Sequence, residues 1–322
     1  MERLDAFMAR ANAAFYAGAD PLAGFATSPE ISQVFGELLG AWAAIAWQAM
    51  GAPDDVVLAE IGPGRGTLMA DALRVLRSAA PGLAAKVHLV ETSRSLRARQ
   101  ATVVPDATWH DRLADLPNGP LVLLANEFFD ALPIRQCVRR NAGWVERHVA
   151  DGAFVEIPCP TPPTMSAVEG EVLEWSPASR AIVEALAARI VANGGVALVI
   201  DYGPEHSAAG DSLQALRDGK PADPLAAPGA ADLTAHVDFQ ALATVARAAG
   251  AAVQGPVPQG VFLTRLGLFQ RSGTLARTQP PARAGALMQA ASRLAEPHHM
   301  GRLFKVMAVC HPGLPPLPGF AA

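Results

Sequence analysis

Lysine is almost missing from this chain: three stand among 26 basic residues, at Lys86, Lys220 and Lys305. Arginine supplies the rest, which together with the alanine and proline content reads as coding bias and not as a binding signal. The formal charge is −4, and no basic face offers itself to nucleic acid. Three cysteines, Cys137, Cys159 and Cys310, show no paired spacing, which argues against a disulfide framework and against a zinc site, so no metal is expected. No uninterrupted apolar run is long enough to cross a membrane. The nearest, Leu38 to Met50, is short and carries Gln48. The first residues, Met1-Glu2-Arg3-Leu4-Asp5, bear acids, and no signal-peptide core follows them. These absences predict a cytoplasmic, reducing setting without stable membrane insertion. No internal repeat is present, and 322 residues suffice for one large domain or two small ones.

What is present centres on Val56-Val57-Leu58-Ala59-Glu60-Ile61-Gly62-Pro63-Gly64-Arg65-Gly66-Thr67. An apolar run ends in an acid, three glycines alternate, and a helical pattern follows. This reads as strand, tight turn and helix, with bare backbone open to a ligand at the carboxyl edge of a parallel sheet. A second strand, Val87 to Val90, ends in Glu91, 25 residues after Gly66. A carboxylate there can accept hydrogen bonds from both hydroxyls of a ribose. Dinucleotide enzymes use the same device, so Glu91 indicates a nucleoside and leaves the cofactor open.

The pattern alternates between β and α through most of the chain. A helical N-terminal segment fills residues 1–50, interrupted at Asp20-Pro21-Leu22-Ala23-Gly24-Phe25, with a helix beginning at Pro29 behind Ser28 as its N-cap. Strands are expected at 56–61, 87–91, near Thr108 and at 121–126, separated by helices at 67–79 and 93–101. After Asp130 the pattern changes: short strands at 134–140, 144–149 and 153–157 read as a β insertion, followed by a Pro-rich loop. Helix 177–192 and strand 196–201 resume the alternation, and residues 203–235 read as a long loop. Helices at 237–249, 259–271 and 283–295 frame the last strands, at 252–257 and 303–309. The expected fold class is α/β, with a domain at 51–322 carrying insertions at about 134–176 and 203–235.

Several segments together resemble the seven-stranded, Rossmann-like S-adenosylmethionine-dependent methyltransferases, and among these the MidA family. They are Thr27–Glu37 (Thr-Ser-Pro-Glu-Ile-Ser-Gln-Val-Phe-Gly-Glu), Glu60–Thr67, Asn126-Glu127-Phe128-Phe129-Asp130-Ala131-Leu132-Pro133, Ile200–Gly203, Ala231–Phe239, Gln259–Leu263 and Met300–Val306. The family carries Gly-Asp-Phe where this chain has Ala23-Gly24-Phe25. It includes the mitochondrial complex I assembly methyltransferase, which modifies an arginine of a complex I subunit. The resemblance implies S-adenosylmethionine as cofactor, an arginine of a protein such as a complex I subunit as acceptor, and no nucleic-acid partner. It leaves the oligomeric state open. Two rival functions remain: methylation of a small molecule, and a non-catalytic assembly factor that holds the cofactor without turnover.

On this resemblance Gly62, Gly64 and Gly66 face the methionine end of the cofactor, Glu60 takes its ammonium and Glu91 its ribose. Trp109 and His110, after the third strand, stand where such folds contact adenine; plain packing is the alternative. Asn126 joins the cofactor set at the end of the fourth strand. Glu127 and Asp130 flank two phenyl rings and suit a guanidinium, which carboxylates can hold by paired hydrogen bonds. A helix cap and a core phenylalanine pair are the alternative. His236 follows the long loop and is a candidate site residue or a structural one.

Overall fold

A computed structural model describes residues 1–18, 22, 27–84 and 86–320. Of the expected break at 20–25 only Leu22 lies among them; Ala23-Gly24-Phe25 lies outside.

Seven strands form the central sheet: β1 (Val57–Ile61), β2 (Val87–Val90), β3 (Thr108–His110), β4 (Leu121–Asn126), β5 (Gly195–Tyr202), β6 (Ala252–Pro258) and β7 (Phe304–Cys310). Their order is β3-β2-β1-β4-β5-β7-β6. The first five are parallel, and β7 runs antiparallel to both its neighbours. Every residue of β1 and β4 is buried. Both faces are covered, so these strands do not alternate with polar residues; each is apolar except for one buried polar residue at or near its carboxyl end, Glu60 in β1 and Asn126 in β4. Leu58, Val122, Leu124 and Leu198 point into one core, and Val57, Ala59, Leu123 and Val199 into the other.

The first core is closed by α3 (Gln33–Ala49) and α4 (Thr67–Ala79). These helices approach closely because α3 carries Gly40: a Cβ there would stand 2.6 Å from the Ala72 carbonyl oxygen. The second core is closed by α6 (Pro177–Asn193) and α7 (Phe239–Ala248). Helix α5 (Arg94–Val103) connects β2 to β3.

Between β4 and α6 lies an antiparallel sheet of strands 135–140, 143–150, 153–158 and 172–175, joined at one edge by Glu2–Arg3. Helix α1 (Leu4–Tyr16) packs on it through Leu4, Phe7, Met8 and Ala11, which meet Ile134 and Val149. Strand 172–175 was not expected from the sequence.

Three local readings are corrected. Ser28 is not an N-cap but the first residue of a short helix, α2 (Ser28–Ile31). Its N–H goes to Glu127, and Ser32 caps α3 instead by accepting from Val34 N–H at 3.3 Å. The 203–235 segment is not all loop: strands 214–217, 220–222 and 232–234 form a small sheet, turning at Asp218-Gly219, both at positive φ. The expected helix 259–271 is two, α8 (Gln259–Arg265) and α9 (Leu268–Ala276), parted at Gly267 with φ +91°. Helix α10 (Pro281–Ala295) follows. Among the described residues no helix is long and apolar enough to cross a membrane.

Candidate active site

The strand order reverses between β1 and β4, which opens a crevice at their carboxyl ends. A cavity of about 620 Å³ lies there. Gly62 and Gly64 line its floor at φ +65° and +53°, while Gly66, at φ +81°, does not line it but packs against Gln100 and Val103 of α5; all three sit in a region costly for any residue with a side chain. A Cβ at Gly62 would stand 2.7 Å from the Phe128 ring. Gly66 caps α4 without a side-chain bond, leaving the helix N-terminus open. Glu60, 3% exposed, lies near the Met69 N–H of that helix, and among the described residues its Oε2 has no partner. Burial pushes its pKa up to about 8; the Met69 N–H opposes this and nearby Glu91 adds to it.

Glu91, half-buried, accepts from Ser93 N–H at 2.7 Å and from Gln100 Nε2 at 3.3 Å. Gln100 also donates to the Gly64 carbonyl at 2.7 Å, and Trp109 Nε1 donates to Gln100 Oε1 at 2.8 Å. Gln100 thus ties the glycine turn to the tip of β2. Trp109 acts behind it and does not line the cavity. His110 does not line it either. Its ring meets His88 at 2.9 Å, and its carbonyl accepts from Glu91 N–H and from Arg97. The structure therefore puts both residues in a supporting layer, because strand β3 is the sheet edge and the chain turns away after it.

The opposite wall is the segment after β4. Asn126 and Glu127 line the cavity. Asn126 Nδ2 donates to Glu127 Oε1 at 3.0 Å, and among the described residues its own Oδ1 has no partner. Glu127 stands at φ +50°, and its Oε1 also accepts from Ser28 N–H at 2.8 Å. Burial raises its pKa; the Ser28 and Asn126 donors oppose the shift. Asp201, at the end of β5, holds this segment. Its Oδ2 accepts the N–H groups of Phe128, Phe129 and Asp130 at 3.2, 2.9 and 3.2 Å, and its Oδ1 accepts Tyr202 N–H at 2.9 Å. Burial, with Glu127 nearby, pushes Asp201 up to about 8, against these N–H donors.

Phe128 faces the cavity while Phe129 packs behind it, edge to face at 5.2 Å. Asp130 does not reach the cavity. It is buried, with Oδ1 unpartnered, and burial together with Asp201, Asp232 and Glu127 raises its pKa strongly. The turn begun by Glu127 carries it behind the wall.

Helix α1 forms the roof, a role not legible in its sequence. Asn12 Nδ2 donates to the Ala131 and Leu233 carbonyls at 2.9 and 2.8 Å, and Asn12 Oδ1 accepts Leu233 N–H at 3.0 Å. The Tyr16 hydroxyl donates to Asp232 at 2.9 Å, and the Tyr16 carbonyl accepts from Ser93 at 2.7 Å. Helix α2 closes one side: Glu30 pairs with Arg65 of the glycine turn at 2.5 Å.

His236 is not brought to this cavity. It lines a second one, of about 720 Å³, on the far side of the wall with Phe129, Trp175 and Lys305. Its ring stands edge to face with Tyr202 at 5.6 Å, and its N–H goes to Ser212. Glu296, His298 and His299 bring ligand-type atoms within 4.8 Å of one another, outside both cavities.

The family profile of putative S-adenosyl-L-methionine-dependent methyltransferases matches residues 38–257. The protein arginine methyltransferase NDUFAF7 homolog of Drosophila melanogaster, named mitochondrial, is 36% identical over 88% of this chain and 74% of its own length. The Homo sapiens protein arginine methyltransferase NDUFAF7, also named mitochondrial, is 36% identical over 88% of this chain and 73% of its own. A likely methyltransferase from Burkholderia thailandensis, solved bound to S-adenosylhomocysteine, superposes with a TM-score of 0.83 at 28% identity, covering 98% of this chain and 89% of that one. The names of the animal relatives overturn the expected cytoplasmic location, which is withdrawn. Cysteine usage bears on oxidation and does not distinguish one reducing compartment from another.

Proposed function

This chain belongs to the family of putative S-adenosyl-L-methionine-dependent methyltransferases, and on that premise we propose that it methylates a guanidinium nitrogen of an arginine in a protein. The acceptor follows the names of its relatives, which are called protein arginine methyltransferases. A respiratory complex I subunit is the substrate the MidA resemblance implies. In the same reading residues 1–50 form a helical segment, and 51–322 the methyltransferase domain with its two insertions.

One observation carries the cofactor assignment. Two buried oxygens, Glu60 Oε2 and Asn126 Oδ1, in residues that line one cavity beside a turn of bare backbone, have no partner among the described residues. Buried polar atoms are rarely left unpaired without a ligand or water to meet them. Glu60 would take the cofactor's ammonium, the open N-terminus of α4 its carboxylate, and Glu91 its ribose hydroxyls. The cofactor supplies a methyl group on a cationic sulfonium, a good leaving group, so orientation and exclusion of water fall to the protein.

Glu127 holds the acceptor. A guanidinium stays charged at any physiological pH, and a carboxylate concentrates that charge on the nitrogens it binds. Burial disfavours ionised Glu127 in the free protein. An arriving guanidinium restores the ionised form and makes the pair selective for a cation. Phe128 keeps water from the reacting nitrogen. Asp130 and His236 act from behind the wall, without touching the acceptor.

Glu127→Gln tests this reading, since it keeps the acceptor for Ser28 N–H and removes the charge. Methyl transfer to an arginine substrate should fall about a hundredfold, with cofactor affinity changed by less than about threefold. Parental turnover in that variant would sink the clamp. Mass spectrometry of arginine methylation in cells with and without the gene identifies the substrate.

A further inference from the structure

Two thiols that spacing left unconnected are neighbours in space. Cys137 lies within strand 135–140, and Cys159 directly follows strand 153–158. Both strands pair with 143–150, and Cys159 N–H donates to the Trp144 carbonyl at 2.9 Å. Across this corner of the antiparallel sheet the Cys137 thiol donates to Cys159 Sγ at 2.8 Å, and the Cys159 thiol donates to the Thr161 carbonyl at 3.3 Å. Among the described residues no further His, Cys or carboxylate joins them in a metal-binding group. Cys137 is 0% exposed and Cys159 8%, so one of the pair has an edge toward solvent. Cys310 is buried within β7 of the central sheet.

We propose that Cys137 and Cys159 are a modification site that closes reversibly into a disulfide, with a small-molecule disulfide such as oxidised glutathione as the oxidant. Cys159 reacts first, as the accessible member. Its thiolate attacks one sulfur of glutathione disulfide, forming a mixed disulfide and releasing one glutathione thiolate. Cys137, deprotonated in turn, attacks Cys159 Sγ and releases the second. Two protein thiols are oxidised to one disulfide, one glutathione disulfide is reduced to two thiols, and the two protons leave on them. The sulfurs are already in contact, so the second step needs only a small approach to bonding distance. Burial raises the Cys137 thiol pKa, which makes that resolving step the slower one.

The bridge closes a 22-residue separation. It clamps the sheet on which α1 rests, next to the segment that leaves the cavity wall at Pro133. Closing such a loop restrains the unfolded chain, so the oxidised form should unfold at a temperature a few degrees higher.

The test incubates the whole native protein with oxidised glutathione, then unfolds it, alkylates it and weighs it. The parent should weigh as the unmodified chain less about two mass units plus a single alkyl group on Cys310, yield a linked peptide pair containing Cys137 and Cys159, and revert with dithiothreitol. Cys137→Ser should instead retain a glutathione adduct on Cys159, because the resolving thiol is gone. The proposal is overturned if the parent keeps three alkylatable thiols or a stable adduct, if the bridge uses Cys310, or if Cys137→Ser loses the same two mass units.

Discussion

The two walls of the cavity are built over very different distances along the chain. At β1 and β2 the parts are local: Glu60 lies beside the Met69 N–H, Glu91 takes Ser93 N–H, and Gln100 joins the turn to the strand next to it. At β4 and β5 they come from afar. Asp201 gathers three N–H groups from residues more than 70 positions earlier, and Glu127 is held by Ser28, 99 positions away. The local wall forms with its own strand-turn-helix unit. The distant wall exists only once the sheet and the N-terminal helices are in place. In the proposed function the charged cofactor contacts, Glu60 and Glu91, fall on the wall that tolerates change elsewhere, while Glu127 and the cofactor contact Asn126 fall on the one that reports on the whole fold.

The walls meet where Gly62 faces Phe128, and breaking that contact should have the largest effect. Gly62→Ala forces a side chain into a left-handed backbone, at about 1–2 kcal/mol, and overpacks it against the ring, at about 1–3 kcal/mol. Stability should fall by roughly 2–5 kcal/mol, and calorimetry should detect no cofactor binding at concentrations that saturate the parent. A variant with parental melting and binding would mean that the walls do not touch in solution.

Asp201→Ala is next and should separate the walls. It strips three N–H groups of their acceptor, with an expected loss of roughly 3 kcal/mol by denaturant unfolding. Methyl transfer should fall far more than cofactor affinity. An equal loss of both would show that the distant wall carries more of the cofactor than the single contact at Asn126.

The smallest effect sharpens the local wall. Glu60 in the folded chain titrates near pH 8, against an ordinary value of 4.5. A raised carboxyl pKa means the folded state holds its proton longer. This stability is fully present below pH 4.5 and is lost as pH rises through about 8. An ammonium bound at Glu60 favours the ionised form, so binding releases a proton within that window. Cofactor affinity should rise about tenfold from about pH 5.5 to 7, below the titration of the cofactor's own amine. Glu60→Gln should flatten the slope. Calorimetry in two buffers of different ionisation heat counts the proton, and a count of zero would place the ammonium elsewhere.

The same contrast explains what could be read from sequence. Glu60, the glycines and Glu91 are legible because a strand tip, a positive-φ turn and a helix start lie within one short segment. The seven-stranded sheet follows from apolar runs separated by helical periods. Asn12 and Tyr16 in the roof and the Cys137–Cys159 contact are not legible, since each depends on partners brought together by the fold. Trp109 was legible as a residue near the site but not as one acting through Gln100. Asp130 and His236 sit in recognisable motifs; the turn at Glu127 carries Asp130 behind the wall, and the Ala235 N–H bonded to the Asp130 carbonyl holds the His236 segment beside it.

The position of β7 has a consequence for how the chain is made. It is the last strand of the sheet in sequence, yet it lies between β5 and β6 and pairs with both. Roughly a hundred residues separate the end of β5 from the start of β7, which at about 5–20 residues per second is about 5–20 s of synthesis. Throughout that interval the outer edge of β5 has no ladder to pair with and β6 has no place to dock. The nascent sheet must wait, with an apolar edge open, for its penultimate position to be filled from the far end of the chain.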